Sequence, residues 1–237
     1  MTGVIVNVIT VLMGSSLGLL FKKGISQKYT DAVMTGIGLC TVAIGIGGIL
    51  EGKNILVAII SMVLGAIIGT ALDIDKRING VGDFLSSKMK KKDDKVSLTE
   101  GFVTASLLFC IGAMTIIGSL DAGLKGDNTT LFTKSVLDFF SSMMLSASLG
   151  IGVMFAALFV LVFQGGLVLL SSLLEGVLTV SAVAEITCVG SLMILALGLN
   201  LIGITKIKVA NYFPSLILAP CVCALFEFLG KYIPALS

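Results

Sequence analysis

Long apolar runs, parted by short polar or glycine-marked breaks, recur along the whole chain. They cover about residues 4–21, 31–50, 55–72, 101–120, 131–149, 183–203 and 209–230. A bilayer-spanning helix needs about 20 apolar residues, and within hydrocarbon a span must satisfy its own backbone hydrogen bonds. The runs have that length, so each predicts a transmembrane helix. An eighth apolar segment, about 152–178, is interrupted at Gln164-Gly165-Gly166. Halves of about 11 residues rise only ~17 Å as helix, part of a ~30 Å core. The pattern predicts one all-α polytopic membrane domain over residues 1–237, with about seven transmembrane helices plus one broken or re-entrant segment.

Composition agrees. Of 237 residues, 56% are hydrophobic and 13% charged, whereas soluble domains carry about 25% charged residues. Too much apolar surface would remain for water to be the solvent. The first run, Val4 to Phe21, is too long for a signal-peptide core and is followed by Lys22-Lys23 rather than a small-residue cleavage site, so it reads as a retained span.

The chemistry this composition excludes is broad. There is no histidine, which removes His-based zinc sites, Ser-His-Asp catalysis and histidine-ligated haem. Cys40, Cys110, Cys188, Cys221 and Cys223 all lie inside apolar runs, odd in number and without a Cys-x-x-Cys pair, and read as packing residues. No glycine-rich phosphate loop ends in Lys-Ser/Thr. Gly126-Asp127 sits in a polar turn, and Asp73 and Asp75 border a loop, which does not make an intramembrane aspartyl protease. The expectation is no enzyme, no cofactor, no metal and no nucleic-acid partner.

Charge gives an orientation. Lys22, Lys23 and Lys28 follow the first run, and Lys76, Arg77 and the lysines up to Lys95 follow the third. The positive-inside rule puts both loops in the cytoplasm and the N-terminus outside. The loops Glu51–Lys53 and Asp121–Asp127 then lie outside. Within the polar stretch 73–99, Ile78, Val81, Leu85 and Met89 recur at helical spacing beside Lys88, Lys90, Lys91 and Lys92. This suits an interfacial basic helix on an anionic leaflet, or equally a solvated basic loop. The side of Lys206 and Lys208 depends on whether 152–178 crosses.

Repetition is visible without gaps. Gly38–Lys53, with Ala43-Ile-Gly45, aligns with Ser191–Lys206, with Ala196-Leu-Gly198; a third copy of the motif lies at Ala113–Leu120. Leu12-Met-Gly14-Ser-Ser-Leu-Gly18 matches Val63-Leu-Gly65-Ala-Ile-Ile-Gly69 and Met144–Gly150. The unit is a small-xxx-small helix followed by a glycine-rich helix, and repeated helical units are a common way to build transporters. Gly14, Gly18, Gly65 and Gly69 are expected to pack helices closely, within the chain or between copies. A homo-oligomer, most simply a dimer, is expected.

Lys134 and Asp138 lie just inside an apolar run at i, i+4 spacing, close enough to pair. Each charge at such depth costs roughly 2.5–3.5 kcal/mol on insertion scales, and such groups usually face a bundle interior or a watery path. The alternative is a structural pair whose lysine snorkels. Glu185, beside Ser181, Ala182 and Ala184, suits either proton coupling or an interfacial position. Asn7, Gln164, Asn200, Asn211, Thr115 and Ser191 need polar partners in lipid. The expected pathway comprises Asp138, Lys134, Glu185, Asn200, Thr115 and Gln164, in a transporter or channel for a small solute or ion, with cation or proton coupling through the carboxylates. The other reading is a non-transporting sensor or assembly protein that holds a partner with the basic loop. One continuous cavity joining Asp138, Glu185, Asn200 and Gln164 would favour the first; each facing a different helix pair would count against it.

The segments Cys110–Leu120, Gly126-Asp127 with Lys134–Asp138, Leu149-Gly-Ile-Gly-Val153, Gln164-Gly165, and Ala184-Glu185 through Gly198-Leu-Asn200 to Lys206 resemble the YdfK/YqgA-like bacterial integral membrane proteins, domain of unknown function 554. Cys110 and Ala113 stand where that resemblance leads one to expect other small residues or proline at a helix break. It implies a multi-pass protein of the bacterial inner (cell) membrane with six to eight spans, and supplies no substrate.

Overall fold

The computed structural model describes residues 1–22, 27–77, 98–176 and 178–230, and within them the regular structure is entirely helical. In chain order the helices are α1 (Thr2–Lys22), α2 (Gln27–Ile49), α3 (Ile55–Ala71), α4 (Leu98–Cys110), α5 (Ala113–Leu124), α6 (Thr129–Leu149), α7 (Gly152–Leu169), the single turn α8 (Ser171–Leu174), α9 (Val180–Leu201) and, after a 3-10 turn at Val209–Tyr212, α10 (Phe213–Gly230). Polar caps set several starts. The Asn54 side chain accepts the Leu56 N–H ahead of α3, and Thr179 accepts the Ala182 N–H ahead of α9, each answering one of the amides a helix leaves unbonded at its N-terminus.

Glycine contacts fix the directions of the helices. A Cβ at Gly3 would meet Leu131, at Gly14 Ser142 and the Phe139 carbonyl, and at Gly18 Ser146 and the Met143 carbonyl, so α1 and α6 run parallel. Gly38 faces Ile202, Gly45 faces Leu195, Gly48 faces Ser191 and Gly52 faces Cys188, so α2 and α9 run antiparallel. Gly65 meets Ser215 and Gly69 the Asn211 carbonyl, pairing α3 with α10 in the same sense. Gly152 abuts the Leu98 carbonyl and Gly123 abuts Ser171, laying α4 and α5 in succession along α7. The bundle thus has two ends. One gathers residues 71–77, 98–100, 149–152 and 200–211, tied by the Asp75 N–H donating to Asn211 Oδ1 at 2.8 Å. The other gathers the N-terminus, 51–54, 121–128, 168–171 and 179–185, tied by the Gly3 N–H donating to Asn128 Oδ1 at 2.9 Å.

The surface is inside-out relative to a soluble protein. Large apolar side chains face outward along most of the long helices (Leu20, Ile67, Val136, Val162, Ile217 and Leu225 among them), α9 being the largely enclosed one, while Asn7, Ser15, Ser61, Thr104, Lys134, Asp138, Gln164, Glu185 and Ser215 are buried. Such a surface is stable when lipid is the solvent.

Two expected elements are corrected. The run 101–120 is not one helix: it breaks after Cys110 and resumes at Ala113 with a bend of 59°. Gly112, at φ +136°, turns the corner in a conformation that a side chain would strain. The segment 152–178 is not broken at Gln164-Gly166. Helix α7 continues through it to Leu169, and the interruption falls at Leu170. Glycine loses its usual helix penalty where no water competes for its backbone groups. A continuous α7 reverses the chain's direction, so Lys206 and Lys208 sit at the same end as Asp75 and Arg77.

By length and apolar composition, four helices can cross a membrane: α1, α7, α9, and α10 with the turn before it; the bent α4–α5 pair makes five. Thr35–Ile49 of α2, and α3, Ile55–Ala71, are shorter apolar helices. The expected interfacial helix in the basic loop falls mostly on residues 78–97, outside the described residues.

Candidate ion site between three helices

Three helices bring four polar side chains together. The Lys134 ammonium on α6 donates to both oxygens of Asp138, at 2.8 Å to Oδ1 and 2.7 Å to Oδ2. From α1, Asn7 Nδ2 donates to Asp138 Oδ2 at 3.0 Å and to Gln164 Oε1 of α7 at 3.2 Å. Exposure is 6% for Lys134, 5% for Asp138 and 0% for Asn7 and Gln164, so the lysine does not snorkel to the surface. Both Asn7 and Gln164 lie about five residues from the helix ends at the N-terminal side of the bundle, a depth of ~8 Å. Asp138, about nine residues into α6, lies ~14 Å deep. The ion pair is buried inside the helix bundle, away from its ends.

The sequence explains how the pair is assembled. The i, i+4 spacing stacks Lys134 over Asp138 on the face of α6 that also carries Leu131, Ser135 and Ser142, all buried. On α1, Gly14 and Gly18 let α6 approach, and Gly3 does so at the other end. That close parallel seam carries Asn7 to the carboxylate. On α7 the buried stripe Val153, Ala156, Val160 and Gln164 faces the same interior. Asn7 is the member that sequence reading left among scattered amides. Its signal was a lone asparagine in an otherwise apolar turn of α1, but the partner lies 131 positions away.

Other expected pathway residues lie apart. Glu185 Oε1 accepts the backbone N–H groups of Lys53 and Asn54, each at 2.8 Å; it closes the turn between α2 and α3. Asn200 donates to the Ile207 carbonyl and accepts from the Ile207 N–H and the Thr205 hydroxyl, pinning the loop after α9. Thr115 donates to the Phe109 carbonyl at 3.1 Å, bridging the helix break. Nor does either of two cavities among the described residues join these groups, which counts against one continuous path through all of them. A cavity of about 170 Å³ beside the break is lined almost wholly by apolar groups, among them Ile111, Ile116, Phe159, Phe163 and Phe213. A second, about 160 Å³, lies at the opposite end from the ion pair and touches Asp75, Glu100 and Asn200. Neither includes Lys134, Asp138, Gln164 or Glu185. Among the described residues no group of three or more His, Cys, Asp or Glu could hold a metal ion.

An all-helical bundle with an apolar exterior and a buried ion pair is a multi-pass membrane protein. The chain belongs to the family described as protein of unknown function (DUF554), whose model matches residues 2–224. It is 36% identical over 234 residues, 97% of this chain and 99% of the relative, to the uncharacterized membrane protein YdfK of Bacillus subtilis (strain 168). It is 31% identical over 220 residues, 92% of this chain and 94% of the relative, to the uncharacterized protein YqgA of Escherichia coli (strain K12). No solved structure matches.

Proposed function

We propose that this protein is a membrane transporter or channel for a small ion or solute, and that Lys134, Asp138, Asn7 and Gln164 form its binding site. The observation that carries the reading is a fully internal, hydrogen-bonded charge pair held by three helices. A buried pair rarely adds net stability, because desolvating two charges offsets most of their attraction, and intramembrane ionisable groups mark ion paths and proton relays. Asp138 is the group that would take and release a proton. Glu185, Asn200 and Thr115 act in this reading as structural staples.

The pairing of α2 with α9 adds support. In the gapless alignment Gly45 corresponds to Gly198, and Val42 to Leu195. Gly45 faces Leu195 and Gly198 faces Val42, the reciprocal contacts of an antiparallel pair, an arrangement compatible with an inverted repeat. Inverted repeats are the usual frame for alternating access. With the α4–α5 pair counted once, the chain would cross eight times. Both termini would lie outside, and Lys206 would be cytoplasmic with the basic loop. The bilayer would be that of the bacterial inner membrane. A sensor or assembly role through residues 73–99 remains the second reading, since a basic segment suits an acidic partner. The test is ion flux in proteoliposomes across a panel of cations, anions and amino acids. A substrate that moves only with the intact ion pair supports transport; an inert protein across the panel favours the second reading.

A further inference from the structure

The hydrogen-bonding capacity left over in the cluster says more about its ligand than the charges do. Lys134 and Asp138 cancel, and Lys134 is the one charged side chain acting on Asp138 among the described residues. In surroundings of low dielectric, an entering ion must therefore be balanced by a proton. A cation at the carboxylate requires Lys134 to lose one; an anion at the ammonium requires Asp138 to gain one.

The amides separate these cases. Asn7 turns its nitrogen to Asp138 Oδ2 and to Gln164 Oε1; the reversed amide would set an oxygen against both acceptors. Two buried atoms of this cluster then have no hydrogen-bond partner among the described residues, Asn7 Oδ1 and Gln164 Nε2. Gln164 Nε2 offers two N–H donors. Lys134, with two N–H groups engaged by Asp138, offers a third. The open capacity is three N–H donors, on Gln164 and Lys134, against one acceptor, Asn7 Oδ1, and a predominance of donors is what an anion needs. A cation would have to displace Lys134 from both carboxylate oxygens and would meet the amide nitrogen of Asn7 there.

Resting on the transport reading above, we infer that the cluster binds one small monovalent anion on Lys134 and Gln164 together with one proton on Asp138. The proton comes from water, the carboxylate becomes a carboxylic acid, and the ion pair becomes an ordinary hydrogen bond that frees the ammonium for the anion. The net charge of the site is zero before and after. The groups bonded to Asp138 are Asn7 from α1 and Lys134 on its own helix, with Gln164 of α7 behind Asn7. The Cys110 thiol at the end of α4 lies within the field of both charges.

Thermal unfolding of the purified full-length protein, followed by a thiol-reactive dye on its buried cysteines, tests this directly. Fluoride, chloride, nitrate and formate are compared at about pH 5, nearer the ordinary aspartate value of ~3.9, and at about pH 8, far above it; lithium, sodium and potassium are exchanged at fixed anion. At least one anion is expected to raise Tm by several degrees at the lower pH and to lose that effect at the higher. In Asp138→Asn, whose amide stands for the protonated acid, stabilisation by the anion should persist at both. Gln164→Met leaves the ion pair whole and should weaken the anion about tenfold or more, the loss of one charge-assisted hydrogen bond. It decides the matter even if Asp138→Asn does not fold. Stabilisation by a cation, strongest at the higher pH, would overturn the anion assignment and leave the transport reading standing. Stabilisation by no ion, with no flux in vesicles, would overturn both.

Discussion

Two seams in this molecule use the same packing device to different ends. Along α2 and α9 the touching residues are Gly38, Val42, Gly45 and Gly48 against Ser191, Leu195, Gly198 and Ile202. Along α1 and α6, Gly14 and Gly18 close one half of the seam in the same manner, but in the other half, between them and Gly3, Asn7 lies against Asp138, which Lys134 pairs. The first seam demonstrates that glycine and small side chains suffice to join two helices here. The charges of the second are therefore surplus to packing. Their desolvation is a cost of several kcal/mol per ion that their attraction only partly repays, and this is why they are assigned to function rather than to stability.

The largest expected effects treat the seams alike. Gly18→Val would drive a side chain into the Met143 carbonyl, and Gly45→Val into the Leu195 backbone. Each should cost about 3 kcal/mol or more and be read as aggregation on size-exclusion chromatography. Gly36→Val, where nothing lies within 4 Å, should stay within about 0.5 kcal/mol of the parent, as an exposed substitution does.

Next, the second seam alone should respond to charge. Lys134→Met strands a buried carboxylate and should cost about 3–5 kcal/mol, while Lys134→Met with Asp138→Asn should recover to within about 1 kcal/mol. Thermal unfolding in one detergent checks both.

Glu185 gives a smaller effect and separates staple from site. Glu185→Ala loses the acceptor for the Lys53 and Asn54 amides and should cost about 1–3 kcal/mol. Glu185→Gln keeps an acceptor oxygen, so stability and flux should both be near the parent's. Loss of flux in a stable Glu185→Gln protein would return this carboxylate to the pathway.

The smallest effect lies in the turn before α6. Asp127 accepts the Thr129 N–H at 2.9 Å, and the bonds from the Thr129 backbone and hydroxyl hold its carboxyl below the usual carboxylate range. A depressed folded-state pKa contributes stability above the unfolded-state value near 3.9, and that contribution is lost as pH falls through the lower, folded value. Comparing Asp127→Asn with the parent below about pH 4, the gap in Tm should narrow as pH falls.

Helix type and most boundaries were legible because lipid imposes a length and leaves the backbone no other regular form to satisfy itself. The Lys134–Asp138 pair was legible because i, i+4 is a local relation. What escaped was nonlocal or conformational. Asn7 and Gln164 meet across α1 and α7, and no spacing rule joins them. Gln164-Gly165-Gly166 resembled a break because helix penalties measured in water were applied to a segment surrounded by protein and lipid. The break at Ile111-Gly112 lay inside an apolar run whose hydropathy does not change, so periodicity did not show it, and only the resemblance pointed to a helix break between Cys110 and Ala113. Glu185 and Asn200 were attractive as intramembrane polar groups, yet both answer the backbone of nearby turns, which a sequence does not display.

The central claim is that the ion pair serves transport and not the fold. The direct measurement is flux of the supported ion in proteoliposomes, with internal pH followed by an entrapped dye, for the parent and for the folded Lys134→Met/Asp138→Asn double variant. The account predicts that the parent moves the ion with a proton, and that the double variant, equally stable and inserted, moves neither. A double variant that transports at the parent's rate would make the pair structural and contradict the account.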